Sequence, residues 1–339
     1  MQEIVITKNQ AGQRADKFLA KYLPEAQKSF LYKMMRKKNI TLNDKKLTGN
    51  EQLAVGDSVK LFFSDETFEK FRGNVKNTEP KEQVKGYDLT VFKNCILYED
   101  ADIILMNKPV GMLSQKANPK DISINEYMLE YLYTTQSDAK EAFSAFRPSI
   151  CNRLDRNTTG IIIGGKSLPG VQELSRVLRE RCVHKYYVCV VKGAMTKASK
   201  LTGYLKKENS QNKVTIYETP QPDADYICTE YMPLGTNGTY TLLKVLLVTG
   251  KPHQIRAHLN SIGHPILGDG KYGDAKVNQV VYKQYGVKYQ LLHSYCLDFS
   301  DYKSPSPQFE YLEGTIYKAQ VPYVFSKVLL GEQLHEYLE

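Results

Sequence analysis

The sequence predicts an α+β protein of two domains, and three observations carry that expectation. Two amphipathic helical segments stand among short alternating strands before residue 64. Strands in the middle of the chain are spaced as in an antiparallel sheet, and 339 residues exceed the usual length of one domain. With 42% hydrophobic and 24% charged residues, the composition supports a packed core. Apolar runs such as 245–248 fall far short of the ~20 residues that cross a bilayer. Residues 1–10 show no secretory apolar region, so a cytoplasmic protein without a membrane partner is expected.

Charge is unevenly placed. The net charge is +9, and residues 1–63 hold 12 Lys/Arg against 6 Asp/Glu, leaving +3 for the other 276. Concentrated positive charge suits a phosphate-bearing partner, although a basic lobe without a partner fits the same numbers. Six cysteines (Cys95, Cys151, Cys182, Cys189, Cys228, Cys296) have no close pairs, as reduced thiols do. His253, His258 and His264 lie near one another in sequence. The first two are i, i+5 and no carboxylate accompanies them at ligand spacing, so no metal is expected.

In chain order, residues 4–7 alternate as a strand, and Ala15, Phe18, Leu19 and Tyr22 recur at helical spacing up to Pro24. A second helix is expected from Ser29, with the Ser29 hydroxyl as its N-cap. Leu31, Met34 and Met35 form its packing side, and Lys33, Arg36 and Lys37 its free side. Such a basic face is more often solvated than bound. Residues 40–43 and 59–63 complete a small sheet behind the two helices, giving a first domain of 1–63. Residues 64–86 are charged, lack a sustained apolar period and suggest a linker.

The second domain, 87–330, opens with a buried strand at 103–106 and the turn Asn107-Lys108-Pro109-Val110-Gly111. Ser123 to Glu126 has capping-box spacing, predicting a helix to about residue 133. A strand at 160–166 is followed by a helix opening at Pro169, with Arg176, Arg179 and Arg181 outside. Residues 184–193 form a core strand holding Tyr187, and further strands lie at 213–217, 226–234 and 240–248. A short helix then buries Ile255, Leu259 and Ile262 with Arg256 on its other side. Residues 321–330 form a closing helix, and 331–339 a C-terminal tail.

The polar stretch Cys151-Asn152-Arg153-Leu154-Asp155-Arg156-Asn157-Thr158-Thr159-Gly160 is the chemical centre, with one acid between two arginines. Neighbouring cations favour an ionised carboxylate, which suits a nucleophile or an electrostatic group better than a proton donor. A surface Asp–Arg pair, worth under about 1 kcal/mol, fits the same spacing. Gly160 to Ser167 also satisfies the phosphate-loop pattern of nucleotide hydrolases. Ile161, Ile162 and Ile163 lie inside that supposed loop and prefer an extended strand, so the pattern is a chance match.

Arg153-Leu154-Asp155 with Thr158-Thr159-Gly160 resembles the catalytic loop of the RluA-type pseudouridine synthases, His-Arg-Leu-Asp, two variable residues, Thr-Ser-Gly. Asn152 and Thr159 stand where that family has His and Ser. Tyr98-Glu99-Asp100 with Asn107-Lys108-Pro109-x-Gly111, Lys185-x-Tyr187, Thr249-Gly250-Lys251-Pro252-His253-Gln254-Ile255-Arg256-Ala257-His258-Leu259 and Leu291-Leu292-His293 resemble its other motifs, in family order over 96–293. Lys251-Pro252 replaces the family's Arg-Thr. Gly12 to Leu19, the basic second helix and Gly56-Asp57 before a strand resemble the small RNA-binding module first described in the fourth ribosomal small-subunit protein.

The resemblance implies a catalytic domain with a mixed, mostly antiparallel sheet, flanking helices and a central cleft, joined to a small α+β RNA-binding domain. It implies isomerisation of uridine to pseudouridine in RNA, without cofactor or metal. Asp155 would be the nucleophile or sugar-proton acceptor, Arg256 its partner, and Tyr187 the aromatic that stacks on uracil. Arg153, Leu292 and Lys108 would bind substrate, with Arg153 filling the gap left by a flipped base. Lys33, Arg36 and Lys37 would meet RNA phosphates. The expected partner is large-subunit ribosomal RNA, transfer RNA being next, and the expected state a monomer. The alternative is an RNA-binding or ribosome-assembly protein with an inert cleft.

Overall fold

The computed structural model describes residues 1–7, 10–72, 88–135, 146–208 and 213–338. It is a mixed α+β fold in two compact units. The first comprises 1–104, 125–151 and 163–175, the second 105–124, 152–162 and 176–339.

In the first unit, Gln2–Val5, Ser58–Leu61, Ile40–Leu42 and Lys45–Lys46 pair antiparallel in that order. Helices Ala15–Tyr22 and Lys28–Arg36 bury Phe18, Leu19, Leu31 and Met35 in a core with Ile40, Val59 and Leu61. Both sets follow the i, i+3, i+4 period visible in the sequence. The second helix starts one residue before Ser29, with Gln27 at the N-cap position and no side-chain cap. Ser29 therefore lies inside the first turn, past the position from which a hydroxyl caps. The segment expected to begin a linker instead forms the helix Asp65–Arg72. Phe68, buried, and Phe71, partly buried, seat it in the same core, two residues being too few to register as a period. Residues 73–86 of that linker lie outside the described residues.

In the second unit, hydrogen-bonded strands run Lys213–Tyr217, Ser199–Glu208, Asp225–Thr236, Tyr240–Leu247, His184–Lys192, Leu292–Asp298, Thr159–Gly165, the last belonging to this unit through residue 162. All neighbours are antiparallel except the last pair, which is parallel with His293 opposite Thr159 and Ser294 opposite Gly160. The sheet is therefore mixed. Ile316–Lys318 adds antiparallel to Leu292–Asp298. Thr159–Gly165 is buried along its whole length, so the phosphate-loop pattern falls on a sheet strand.

Neither the strand Ser199–Glu208 nor the helix Ala275–Tyr285 was placed from the sequence. Ser199–Glu208 offers little apolar signal, with Gly203 and Leu205 on its buried side. Helix Ala275–Tyr285 buries only Val281 and Tyr285, and is defined by its ends: Asp274 accepts from the Lys276 and Val277 N–H groups, and Gly286 takes the left-handed conformation. The closing helix is Tyr323–Gly331. What was read as a tail is packed, with Leu334 fully buried and the Tyr337 ring over Gly235. Among the described residues no helix is long and apolar enough to cross a membrane.

Gly160 makes the parallel pairing possible. Its φ is +105°, and a Cβ there would lie 2.2 Å from the Ser294 carbonyl oxygen and 2.6 Å from the Ser294 nitrogen. Gly160→Ala is expected to cost about 3 kcal/mol or more through backbone strain and overpacking, read as a lower midpoint in urea denaturation. An unchanged midpoint would contradict this close approach.

Candidate active site

The loop at 152–158 is held chiefly through its backbone. Ser114 Oγ accepts the Leu154 N–H at 2.9 Å and donates to the Leu154 carbonyl at 2.8 Å. Lys108 Nζ donates to the carbonyls of Pro109, Met112 and Arg156 at 3.1, 2.9 and 3.0 Å. Gln290 Nε2 donates to Thr158 Oγ1 at 3.2 Å. Thr159 Oγ1 meets His293 Nδ1 at 2.7 Å, and His293 Nε2 meets the Ala319 carbonyl at 3.1 Å. A carbonyl only accepts, so Nε2 carries the ring proton and Nδ1 accepts from the threonine hydroxyl.

These contacts present Asp155 to a helix with no exposed face along most of its length: Gln254, Ile255, Arg256, Ala257, His258 and Leu259 are all buried. The expected amphipathic division fails because its polar side is satisfied internally. Gln254 accepts from Thr249 Oγ1 and donates to Thr229 Oγ1, both at 2.9 Å. Arg256, 6% exposed, donates from Nε and Nη2 to the two oxygens of Asp269 at 2.7 and 2.8 Å, and from Nη1 to Asp155 Oδ2 at 2.6 Å. Burial alone would raise the Asp269 carboxyl, but the Arg256 bonds and charge, with the Lys271 and Tyr272 N–H groups, outweigh it and hold it below the ordinary carboxylate range. Opposing its own burial, the two acids keep Arg256 charged.

Asp155 and Arg256 line a cleft of about 630 Å³ with His253, Arg156, Lys271 and Lys288. Asp155 therefore finds its ion-pair partner across the cleft, and not in its sequence neighbours Arg153 and Arg156, whose side chains are exposed. Tyr187 is buried in His184–Lys192 opposite Ser294. Burial pushes its phenol up to about 12; the hydrogen bond with Ser294 opposes the rise, and the charge of Asp155 adds to it. Leu292, also buried, faces Cys189 across the sheet.

Lys108 departs from its expected substrate-binding role. It is fully buried and its three donors are committed to carbonyls that hold the loop. Burial lowers its pKa to about 7, against the charge of Asp155; three carbonyl acceptors are nonetheless what an ammonium, and not an amine, satisfies. Sequence reasoning assigned no role to Asp269, although a buried acid beside Gly268 needs a cationic partner. The three clustered histidines take separate partners: His253 with Tyr272, His258 with Thr229, His264 with the Lys192 carbonyl. Lys33, Arg36 and Lys37 are exposed on the first unit's second helix.

Residues 102–261 match the protein family described as RNA pseudouridylate synthase. The chain is 29% identical over 305 residues to the ribosomal large subunit pseudouridine synthase C of Vibrio cholerae, covering 88% of this chain and 89% of the relative. It is 29% identical over 304 residues to an uncharacterized RNA pseudouridine synthase of Mycoplasma genitalium, covering 88% of each. The human RNA pseudouridylate synthase domain containing 4 shares the fold at a TM-score of 0.56 and 21% identity, over 72% of this chain and 95% of that one. Fold, cleft and relatives together define an RNA pseudouridine synthase. Within that class the chain is similar to the RluA-type enzymes.

The His293 bridge makes stability depend on pH. Burial pulls its imidazole down to about 4, with the Ala319 hydrogen bond opposing, against 6.5 for an ordinary histidine. Between these values the unfolded chain binds more protons than the folded one, so the contribution is complete above about pH 6.5 and is lost as pH falls towards 4. His258, likewise buried and lowered to about 4, acts in the same direction. The expected loss is about 2 kcal/mol per histidine between pH 7 and 5, seen as a falling urea midpoint over that range. His293→Gln should flatten that slope; an equal slope in the variant would assign the proton uptake elsewhere.

Proposed function

We propose that this chain isomerises specific uridines of large-subunit ribosomal RNA, acting as a cytoplasmic monomer, with Asp155 as the reacting carboxylate. The observation that carries the reading is the Asp155–Arg256 pair at 2.6 Å in a cleft rimmed by Arg156, Lys271 and Lys288. The names of relatives such as the Vibrio cholerae enzyme favour the large ribosomal subunit as the source of substrate. In the reaction the bond from the ribose anomeric carbon to N1 breaks and one to carbon five forms. The carbon-five proton leaves and N1 gains a proton, so no oxidant, reductant or cofactor is consumed.

Asp155 serves as nucleophile or sugar-proton acceptor, and Arg256 aims it with a fixed charge. The target base is flipped out at a cost of a few kcal/mol, and exposed Arg153 occupies the vacated space. Tyr187, neutral because its phenol lies near 12, stacks on uracil and donates rather than accepts a proton at rest. Leu292 and the buried strand behind it exclude water from the sugar intermediate. Exposed Lys33, Arg36 and Lys37 form the phosphate-facing side of an RNA-binding module of the ribosomal-protein type.

The test is tritium release from RNA labelled at carbon five of uridine. Wild type should release tritium from large-subunit ribosomal RNA transcripts, and Asp155→Asn should be slower by at least about 10³-fold at matched RNA binding. Release from transfer RNA alone would move the substrate there. No release from either pool, with binding intact, favours an inert RNA-binding protein. In a separate titration, replacing Lys33, Arg36 and Lys37 by alanine should weaken RNA binding and reduce its log–log salt slope by about 2 to 3. An unchanged slope would remove this face from the RNA contact.

A further inference from the structure

His253 has no part in the scheme above, yet its Nε2 is 3.9 Å from Asp155 Oδ2 and its side chain, 13% exposed, lines the cleft. Its φ of +56° is one that residues other than glycine seldom adopt, so the fold holds this side chain against a backbone preference. The ring meets Tyr272 edge-on, with centroids 5.6 Å apart and planes at 74°.

Its hydrogen bonds suit one tautomer. Tyr272 Oη accepts the Val214 N–H at 2.9 Å, which leaves the phenol's own proton free to donate to His253 Nδ1, also at 2.9 Å. With Nδ1 accepting, the proton of a neutral imidazole stands on Nε2, the atom nearest Asp155. Burial lowers the pKa of this imidazole, with the Asp155 charge opposing and that of Arg256 assisting, which favours the neutral ring. A donor N–H and a carboxylate oxygen 3.9 Å apart are too distant for a direct hydrogen bond. One oxygen atom fits between them at about 2.8 Å from each.

The occupant must accept from the N–H and donate to the carboxylate, and a hydroxyl does both. Uracil carbonyls only accept, and the uracil N3–H only donates. The 3′ and 5′ oxygens of an internal nucleotide are phosphodiesters, so its one hydroxyl is the ribose 2′-OH, beside the anomeric carbon. We propose that His253 Nε2 and Asp155 together bind the 2′-hydroxyl of the target nucleotide, with Tyr272 setting the tautomer. This deepens the proposed function, resting on its placement of the sugar at Asp155, and makes His253 a specificity-determining residue for ribose over deoxyribose.

Two measurements test it, one without substrate. In the free protein at pH 7.5, long-range ¹H–¹⁵N spectra should show His253, assigned by loss of its signals in His253→Gln, as the Nε2–H tautomer. Tyr272→Phe should mix the tautomers, and a wild-type Nδ1–H tautomer would overturn the proposal. The second uses a synthetic RNA oligonucleotide around a mapped target uridine, tritiated at carbon five, with 2′-OH or 2′-H at that nucleotide alone. Wild type should prefer ribose by about 100-fold and His253→Phe by less than about 5-fold, with His253→Gln, which keeps a side-chain N–H, between them. Equal slowing of both substrates by His253→Phe would reduce His253 to a structural residue and sink the idea. Failure of wild type on the all-ribose oligonucleotide would count against the proposed function, while the spectra would still report the tautomer.

Discussion

The guanidinium of Arg256, shared between Asp269 and Asp155, is the interaction on which the site depends. Taking such ions out of water costs several kcal/mol each unless their hydrogen bonds are met. Asp269 is fully buried and is satisfied by two Arg256 bonds and two backbone N–H groups. With Nε and Nη2 committed there, the planar fork leaves Nη1 pointing in one direction, and Asp155 stands at its end. The less exposed acid therefore determines where the more exposed one is held.

A second set of constraints acts from the loop's own side. Lys108, Ser114, Gln290 and His293 reach it from four places in the chain, and only the Gln290 and His293 contacts involve loop-end side chains, those of Thr158 and Thr159. The parallel pairing at Gly160 and Ser294 then ties the loop's exit to the strand that carries Leu292. Acid and apolar floor thus share one register, and a slip of that strand pair would displace both.

Much of this was legible in the sequence where burial is one-sided. The helices at Ala15–Tyr22 and Lys28–Arg36 and the strand at Tyr240–Leu247 carry clear apolar signals. Ser199–Glu208 and Ala275–Tyr285 do not, because few of their residues are buried; the caps Asp274 and Gly286 were the available clue to the second. The pairing of Asp155 with Arg256 joins residues 101 apart, so no local pattern encodes it and only family resemblance pointed to it. Local charge misdirected instead, since the arginines flanking Asp155 are exposed and its ion-pair partner is Arg256. His253 was visible as a residue type, but its orientation comes from Tyr272 and Val214, which the fold brings in from distant strands and turns.

The manner in which Lys108 grips the loop has a consequence for how such enzymes diversify. Its ammonium takes hold of the carbonyls of Pro109, Met112 and Arg156, groups that every amino acid supplies. Arg156 and Asn157, at the two variable positions of the motif, contribute no side chain to that grip, so their identities can change while the carboxylate stays in place. Chemistry and target choice can in this way be inherited separately, though they occupy the same few residues of chain.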